Sequence, residues 1–165
     1  MKDQRLPLRD KASLLLLTFF GSGNAPFMPG TFGSLATIPL IFLLSYLNIG
    51  FYTLIIFIIL LTYISCIEAH RMQLVREVQD PGWIVIDEVI GMLITWLFVF
   101  PSANWLDLLL VFIIFRVFDI VKIFPANWID KKVKNGAGTI LDDVISGVYA
   151  GLVLLCLNYF HLLNQ

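Results

Sequence analysis

An all-α, polytopic membrane helix bundle is the fold class this chain predicts, and three observations predict it. Of its 165 residues, 59% are hydrophobic, with mean hydropathy +0.87. No Lys, Arg, Asp or Glu occurs from residue 12 to residue 67. The apolar residues gather into stretches near the ~20 that cross a hydrocarbon core. A soluble domain of this size has too little interior to hide so much apolar surface, whereas a bilayer accepts it as solvent. About five spans are expected, preceded by a short N-terminal interfacial or re-entrant helix, all in one domain over residues 1–165.

The N-terminus imitates a secretory leader, with Lys2, Arg5, Arg9 and Lys11 before an apolar run and then small residues through Ala25. Its apolar core is at the short limit for such a leader, and the loop after it carries candidate site residues, so the segment is expected to be retained. Residues 14–27 hold too brief an apolar run to cross and are broken by Gly21, Gly23 and Pro26, which predicts the interfacial or re-entrant helix. Spans are drawn at 31–47, 51–67, 84–101, 105–123 and 141–160, the first two being short. With the N-terminus cytoplasmic, the turns at 48–50 and 102–104 and the C-terminal tail fall outside, and none contains Lys or Arg. All 11 basic residues then lie on the cytoplasmic side or in the cytoplasmic ends of helices, the one-sided pattern that orients membrane proteins. Cys66 and Cys156 both sit in apolar runs and read as packing residues, with no disulfide framework.

Two segments carry similar acid pairs. WIVIDEVIG, residues 83–91, presents Asp87 and Glu88, and TILDDVISG, residues 139–147, presents Asp142 and Asp143. Each pair opens a stretch poor in charge, and carboxylates at the mouth of a membrane helix are costly. Helix capping explains one acid per site. A hard divalent cation explains two pairs, because it takes carboxylate oxygens and relieves their mutual repulsion. Asp143, Gly147 and Gly151 fall at i, i+4 and i+8, as Asp87 and Gly91 fall at i and i+4, so the acids are expected on faces where glycines admit a neighbouring helix.

Arg116, Asp119 and Lys122 are spaced i, i+3, i+6 at the end of the fourth span. Successive members share a helix face, while the two cations point about 120° apart on an ideal helix. A guanidinium as deep as Arg116 suits a phosphate or a carboxylate, whereas Lys122 also fits simple snorkelling to the interface. The loop at 21–34 has four glycines and the hydroxyls of Ser22, Thr31 and Ser34. Glycine-rich backbone can cradle phosphate oxygens, though this loop is no Walker pattern and an ordinary turn explains it as well. Lys131, Lys132 and Lys134 form a juxtamembrane basic patch that would attract anionic lipid. His70 is placed just past the second span, and His161 near the opposite face is assigned no catalytic role.

Together the motifs resemble those of the phosphatidylglycerophosphatase A family over residues 20–151. The matching residues are GSG at 21–23, PGTFGS at 29–34, IVIDEVIGM at 84–92, FRVFDIVKIFP at 115–125 with Asp130 following, and GAGTILDDVISG at 136–147. The resemblance implies a Mg2+-dependent membrane enzyme that removes the terminal phosphate of phosphatidylglycerophosphate, at a site facing the cytoplasm from a bacterial inner membrane. Its expected partners are the membrane and an anionic phospholipid substrate, with no nucleic acid, and oligomeric state is left open. Asp87, Glu88, Asp142 and Asp143 are the expected metal ligands. Gly30, Thr31, Ser34, Arg116 and Lys122 are expected to bind phosphate. Asp119, Arg116 and Lys122 are the expected catalytic residues, with Asp119 open between ligand, base and nucleophile. Ile123, Asn135 and Ile140 depart from the pattern, which usually has proline, glycine and methionine there. The rival reading is a cation- or proton-coupled transporter, which would distribute its acids through the membrane depth.

Overall fold

The computed structural model describes residues 7–159. It is all-helical: α1 (Leu8–Leu17), a 3₁₀ turn (Ser22–Asn24), α2 (Pro29–Tyr46), α3 (Phe51–Arg76), α4 (Ile86–Leu97), α5 (Trp105–Val121), α6 (Ala126–Lys132) and α7 (Gly136–Tyr159), with no strand among the described residues. The C-terminal tail with His161, and Lys2 and Arg5, lie outside the described residues.

Helix α4 is the axle. Every residue from Val89 to Trp96 is buried, and α2, α3, α5 and α7 all pack against it. A helix apolar all round is stable only where neighbours cover all of it. By contrast, α2 and α3 leave Leu43, Ile56, Ile59, Leu60 and Ile64 exposed, an apolar belt that water would not tolerate. Helices α2, α3 and α7, with 18, 26 and 24 residues, are long and apolar enough to cross a membrane. Helices α4 and α5 occupy the other two expected spans but have only 12 and 17 residues.

Element boundaries differ from the hydropathy reading for identifiable reasons. Hydropathy ends the second span at the first charge, yet α3 runs through Glu68 and Arg71 to Arg76. Helix α1 makes this possible: Arg71 Nη1 lies 2.6 Å from Asp10 Oδ1, Arg71 Nε lies 2.8 Å from Glu68 Oε2, and Ser13 Oγ donates to Glu68 Oε2 at 2.7 Å. Hydropathy reports where apolar solvent ends, not where backbone hydrogen bonding ends. His70 is consequently inside α3. The short N-terminal helix begins at Leu8, earlier than its apolar run, because Asp10, Ser13 and Leu17 form the face that meets α3. Thr18 closes it, its Oγ1 accepting from Gly21 N at 3.1 Å, and Gly21 takes the left-handed backbone (φ 94°) that reverses the chain.

Two further starts have local causes. Pro29 occupies the first turn of α2, where its missing N–H costs nothing. Asn135 caps α7, its Oδ1 accepting from Ala137 N at 3.0 Å and Gly138 N at 3.1 Å. The departure at Asn135 therefore replaces one helix-start residue by a better one, while Ile140 is fully buried in the core.

Candidate active site

The α4–α7 crossing builds the site. A Cβ on Gly147 would run into the Gly91 backbone, and one on Gly91 would strike the Phe115 ring and lie 2.9 Å from the Asp143 carbonyl oxygen. Thr95 Oγ1 bridges the two helices, donating to Gly91 O at 2.8 Å and reaching Gly147 O at 3.2 Å. With backbones this close, the residues one turn before each glycine must meet, and these are Asp87 with its neighbour Glu88 and Asp143. One carboxylate oxygen from each of the three lies within 4.8 Å of the others.

Capping does not account for these acids. Helix α4 has no side-chain cap, and Asp87 Oδ1 reaches only the adjacent Glu88 N at 3.1 Å. Asp142 and Asp143 stand in the second turn of α7, beyond the free amides that Asn135 already serves.

Consecutive residues on a helix point about 100° apart, so Asp142 and Asp143 part company. Asp143 joins the α4 acids, while Asp142 Oδ2 pairs with Lys122 Nζ at 2.6 Å. Lys122 also reaches Asp130 Oδ1 at 3.0 Å. It sits just past α5 in left-handed backbone (φ 46°), which takes it out of the helical register in which it would point away from Arg116. Burial alone would lower the pKa of its ammonium, but Asp142 and Asp130 outweigh burial and raise it, so Lys122 stays charged. Arg116 Nη1 lies 2.5 Å from Asp119 Oδ2 and 4.0 Å from Glu88 Oε1, without an aligned hydrogen bond to either.

These groups share one cavity of about 360 Å3, walled by Asp87, Glu88, Asp142, Asp143, Arg116, Asp119, Lys122 and Gly30. Gly30 is there because its backbone presses on Glu88: a Cβ would overlap Glu88 Oε1 and lie 3.2 Å from Arg116 Nη1. Thr31 and Ser34 do not line the cavity, and the Ser34 hydroxyl donates to Gly30 O at 3.0 Å, which fixes the turn rather than a ligand. His70 is exposed and lines a separate cavity with Lys134.

Two wall residues escape a reading of the sequence, and Asp130, quoted there only as following a motif, joins the site indirectly. Asp80, in left-handed backbone before Pro81-Gly82, approaches from the α3–α4 loop. Thr139 accepts from Gln73 Nε2 at 2.9 Å and lines the same cavity. Asp130 rides on α6, a helix that hydropathy does not mark, and reaches the site through Lys122. The DPG turn signal before WIVIDEVIG is the one visible pointer to Asp80.

Chemically, Asp87, Glu88, Asp119, Asp130, Asp142 and Asp143 face two cations, Arg116 and Lys122. Such an excess of carboxylate is repulsive and would also turn a phosphate away. Glu88 Oε2 and Asp142 Oδ1 are buried with no hydrogen-bond partner. Buried acceptors left over beside a three-carboxylate cluster are the donor set of a hard divalent cation, and Asp87, Glu88 and Asp143 could hold one.

A sequence model of the phosphatidylglycerophosphatase A family matches residues 15–158. The chain is 39% identical over 140 residues to phosphatidylglycerophosphatase A of Escherichia coli (strain K12), covering 85% of this chain and 80% of that one. It is 40% identical over 149 residues to phosphatidylglycerophosphatase A of Haemophilus influenzae, covering 90% of each. It is also 34% identical over 146 residues to a Bacteroides thetaiotaomicron protein provisionally named phosphatidylinositol-3-phosphatase, covering 86% of this chain and 90% of that one. No solved structure matches it. With nearly its whole length matched and the acid and basic motifs meeting in one cavity, the chain belongs to the phosphatidylglycerophosphatase A family.

Proposed function

We propose that this chain is an integral membrane lipid phosphatase that hydrolyses the terminal phosphate of phosphatidylglycerophosphate, giving phosphatidylglycerol and inorganic phosphate, with Mg2+ as cofactor. The observation that carries the reading is the convergence, in one cavity, of a three-carboxylate cluster with Arg116 and Lys122. A transporter would need acids strung through the bilayer, whereas these gather at one end of the bundle.

In this reading Asp87, Glu88 and Asp143 hold the metal, while Asp142 Oδ2 keeps Lys122 in place beside it. A Mg2+ ion held there would supply Lewis-acid polarisation of a phosphoryl oxygen and lower the pKa of water. Arg116 offers a planar fork to the phosphate, and Lys122 a point charge, both offsetting the charge that grows in the transition state. Asp119 holds Arg116 through Oδ2, and its Oδ1 takes the proton of the attacking water. Hydrolysis forms the bond from water oxygen to phosphorus and breaks the bond to the glycerol oxygen, which takes a proton from solvent as it leaves, while Asp119 returns the attacking water's proton to solvent. Gly30 brings the α2 turn against Glu88, closing the wall without a side chain in the phosphate's space.

Phosphate release by purified protein in mixed micelles tests this. Turnover of phosphatidylglycerophosphate is expected to fall at least ~100-fold in excess chelator and to return with Mg2+. Glycerol 3-phosphate should be a poor substrate, because the lipid anchor supplies the positioning energy. Undiminished activity in chelator would sink the metal assignment, and faster turnover of phosphatidylinositol 3-phosphate would reassign the substrate.

The proposed topology is five spans, α2 to α5 and α7, with the N-terminus and the acid cluster cytoplasmic in a bacterial inner membrane. Cysteines introduced at Asn48 and Lys132, in a background lacking Cys66 and Cys156, should label from opposite sides. Labelling from one side would overturn the drawing.

A further inference from the structure

Trp83, next in the chain to Ile84 of the candidate active cavity, lines a second cavity of about 360 Å3. Its other walls include Lys11, Leu14 and Leu15 of α1, Phe20 of the reversal and Arg76 at the end of α3. The Arg76 guanidinium carbon stands 5.1 Å from the centre of the Trp83 ring. Lys11 and Arg76 are both exposed, and neither pairs with a carboxylate among the described residues. The acids nearest in sequence are engaged elsewhere. Asp10 and Glu68 hold Arg71, Glu77 lines the cavity of His70, and Asp80 lines the cavity of the acid cluster.

Two unneutralised cations over apolar walls and an indole select an amphipathic anion. A soluble anion would gain nothing from Leu14, Leu15 and Phe20, and a neutral apolar ligand would leave both cations unanswered. A zwitterionic headgroup brings its own cation against Lys11 and Arg76. Leu15 and Phe20, 52% and 77% exposed, continue the walls outward as a surface for acyl chain, and tryptophan is the residue favoured at headgroup depth. We infer that this cavity binds the headgroup of an anionic phospholipid, with its phosphate between Lys11 and Arg76 and its chains along Leu15 and Phe20. The site is separate from the acid cluster and does not depend on the phosphatase reading.

Quenching of Trp83 by brominated lipid tests it, the Trp83 signal being the difference between wild type and Trp83→Phe. The probe is reconstitution into vesicles containing dibrominated phosphatidylserine, which is anionic yet neither substrate nor product of the proposed reaction. Dibrominated phosphatidylcholine at equal mole fraction is the reference. The structure predicts a preference for the anionic lipid of about fivefold per cation, reduced by Lys11→Gln and abolished in Lys11→Gln/Arg76→Gln. Both side chains are on the surface, so these variants should fold, and Lys131→Gln/Lys132→Gln should keep the full preference. Equal quenching by the two lipids in wild type, or a preference surviving in the Lys11/Arg76 variant, would overturn the site. Loss of the preference in the Lys131/Lys132 variant would reduce it to general surface charge. Displacement by inorganic phosphate would show a reader of free anions instead of lipid.

Discussion

Asp87→Asn and Asp143→Asn are each expected to lower turnover of phosphatidylglycerophosphate by at least ~100-fold while the protein still inserts and purifies. Both changes remove a charge with almost no change of volume, and both strike the three-carboxylate cluster. Binding of Mn2+, followed by its electron paramagnetic resonance signal, should weaken in the same variants, which ties the lost turnover to a lost ligand. Glu88→Gln should behave alike, because its buried Oε2 has no other partner. Asp142→Asn should differ in kind. It weakens the hold on Lys122, so its main effect is expected on KM for the lipid. Asp107→Asn is the control: that carboxylate is held by Ser102 and Asn104 at the start of α5, away from the cluster. If Asp107→Asn abolishes phosphate release while Asp87→Asn and Asp143→Asn keep it, the site lies elsewhere.

Gly147→Leu is expected to damage fold and activity together. The added side chain meets the Gly91 backbone itself, which cannot rotate aside, so α4 and α7 must separate. Overpacking of this kind costs ~1–3 kcal/mol or more, and for a chain of this size each kcal/mol lowers the thermal midpoint by ~2–4 °C. A midpoint lower by several degrees in detergent, with phosphate release lost because Asp143 no longer meets Asp87 and Glu88, is the expected result. Gly50→Ala should change neither, since its Cβ would meet nothing nearer than Thr53 Oγ1 at 3.8 Å. An unchanged midpoint in Gly147→Leu would mean that the helices do not cross at these glycines.

The glycine crossing is legible in the sequence. Acid and glycine at i and i+4 in both IDEVIG and LDDVISG require that, if the glycines meet, the acids do too. The helical class is legible for a simpler reason: 59% hydrophobic residues with long uncharged runs leave few soluble alternatives. Helix ends are harder. Charged Glu68 and Arg71 look like a boundary, and only the presence of Asp10 and Ser13, more than fifty residues away, lets α3 continue through them.

By itself, then, the sequence determined which residue types gather at the helix mouths and which faces pack, because both follow from short-range periodicity. What only the tertiary structure decided is how the charges are shared out. Four acids that read as one metal set become a cluster of three, with Asp142 given to Lys122. Two cations that an ideal helix would point apart line one cavity, because α5 ends before Lys122 and left-handed backbone turns it back. Thr31 and Ser34, attractive by proximity in sequence, stand off the wall, while Asp80 and Thr139 arrive on it from the α3–α4 loop and the start of α7, and Asp130 of α6 acts through Lys122. The reason is physical: side-chain pairing depends on distances of a few ångströms between segments far apart in the chain, and a local pattern fixes the direction of a side chain relative to its own helix, not the partner it meets.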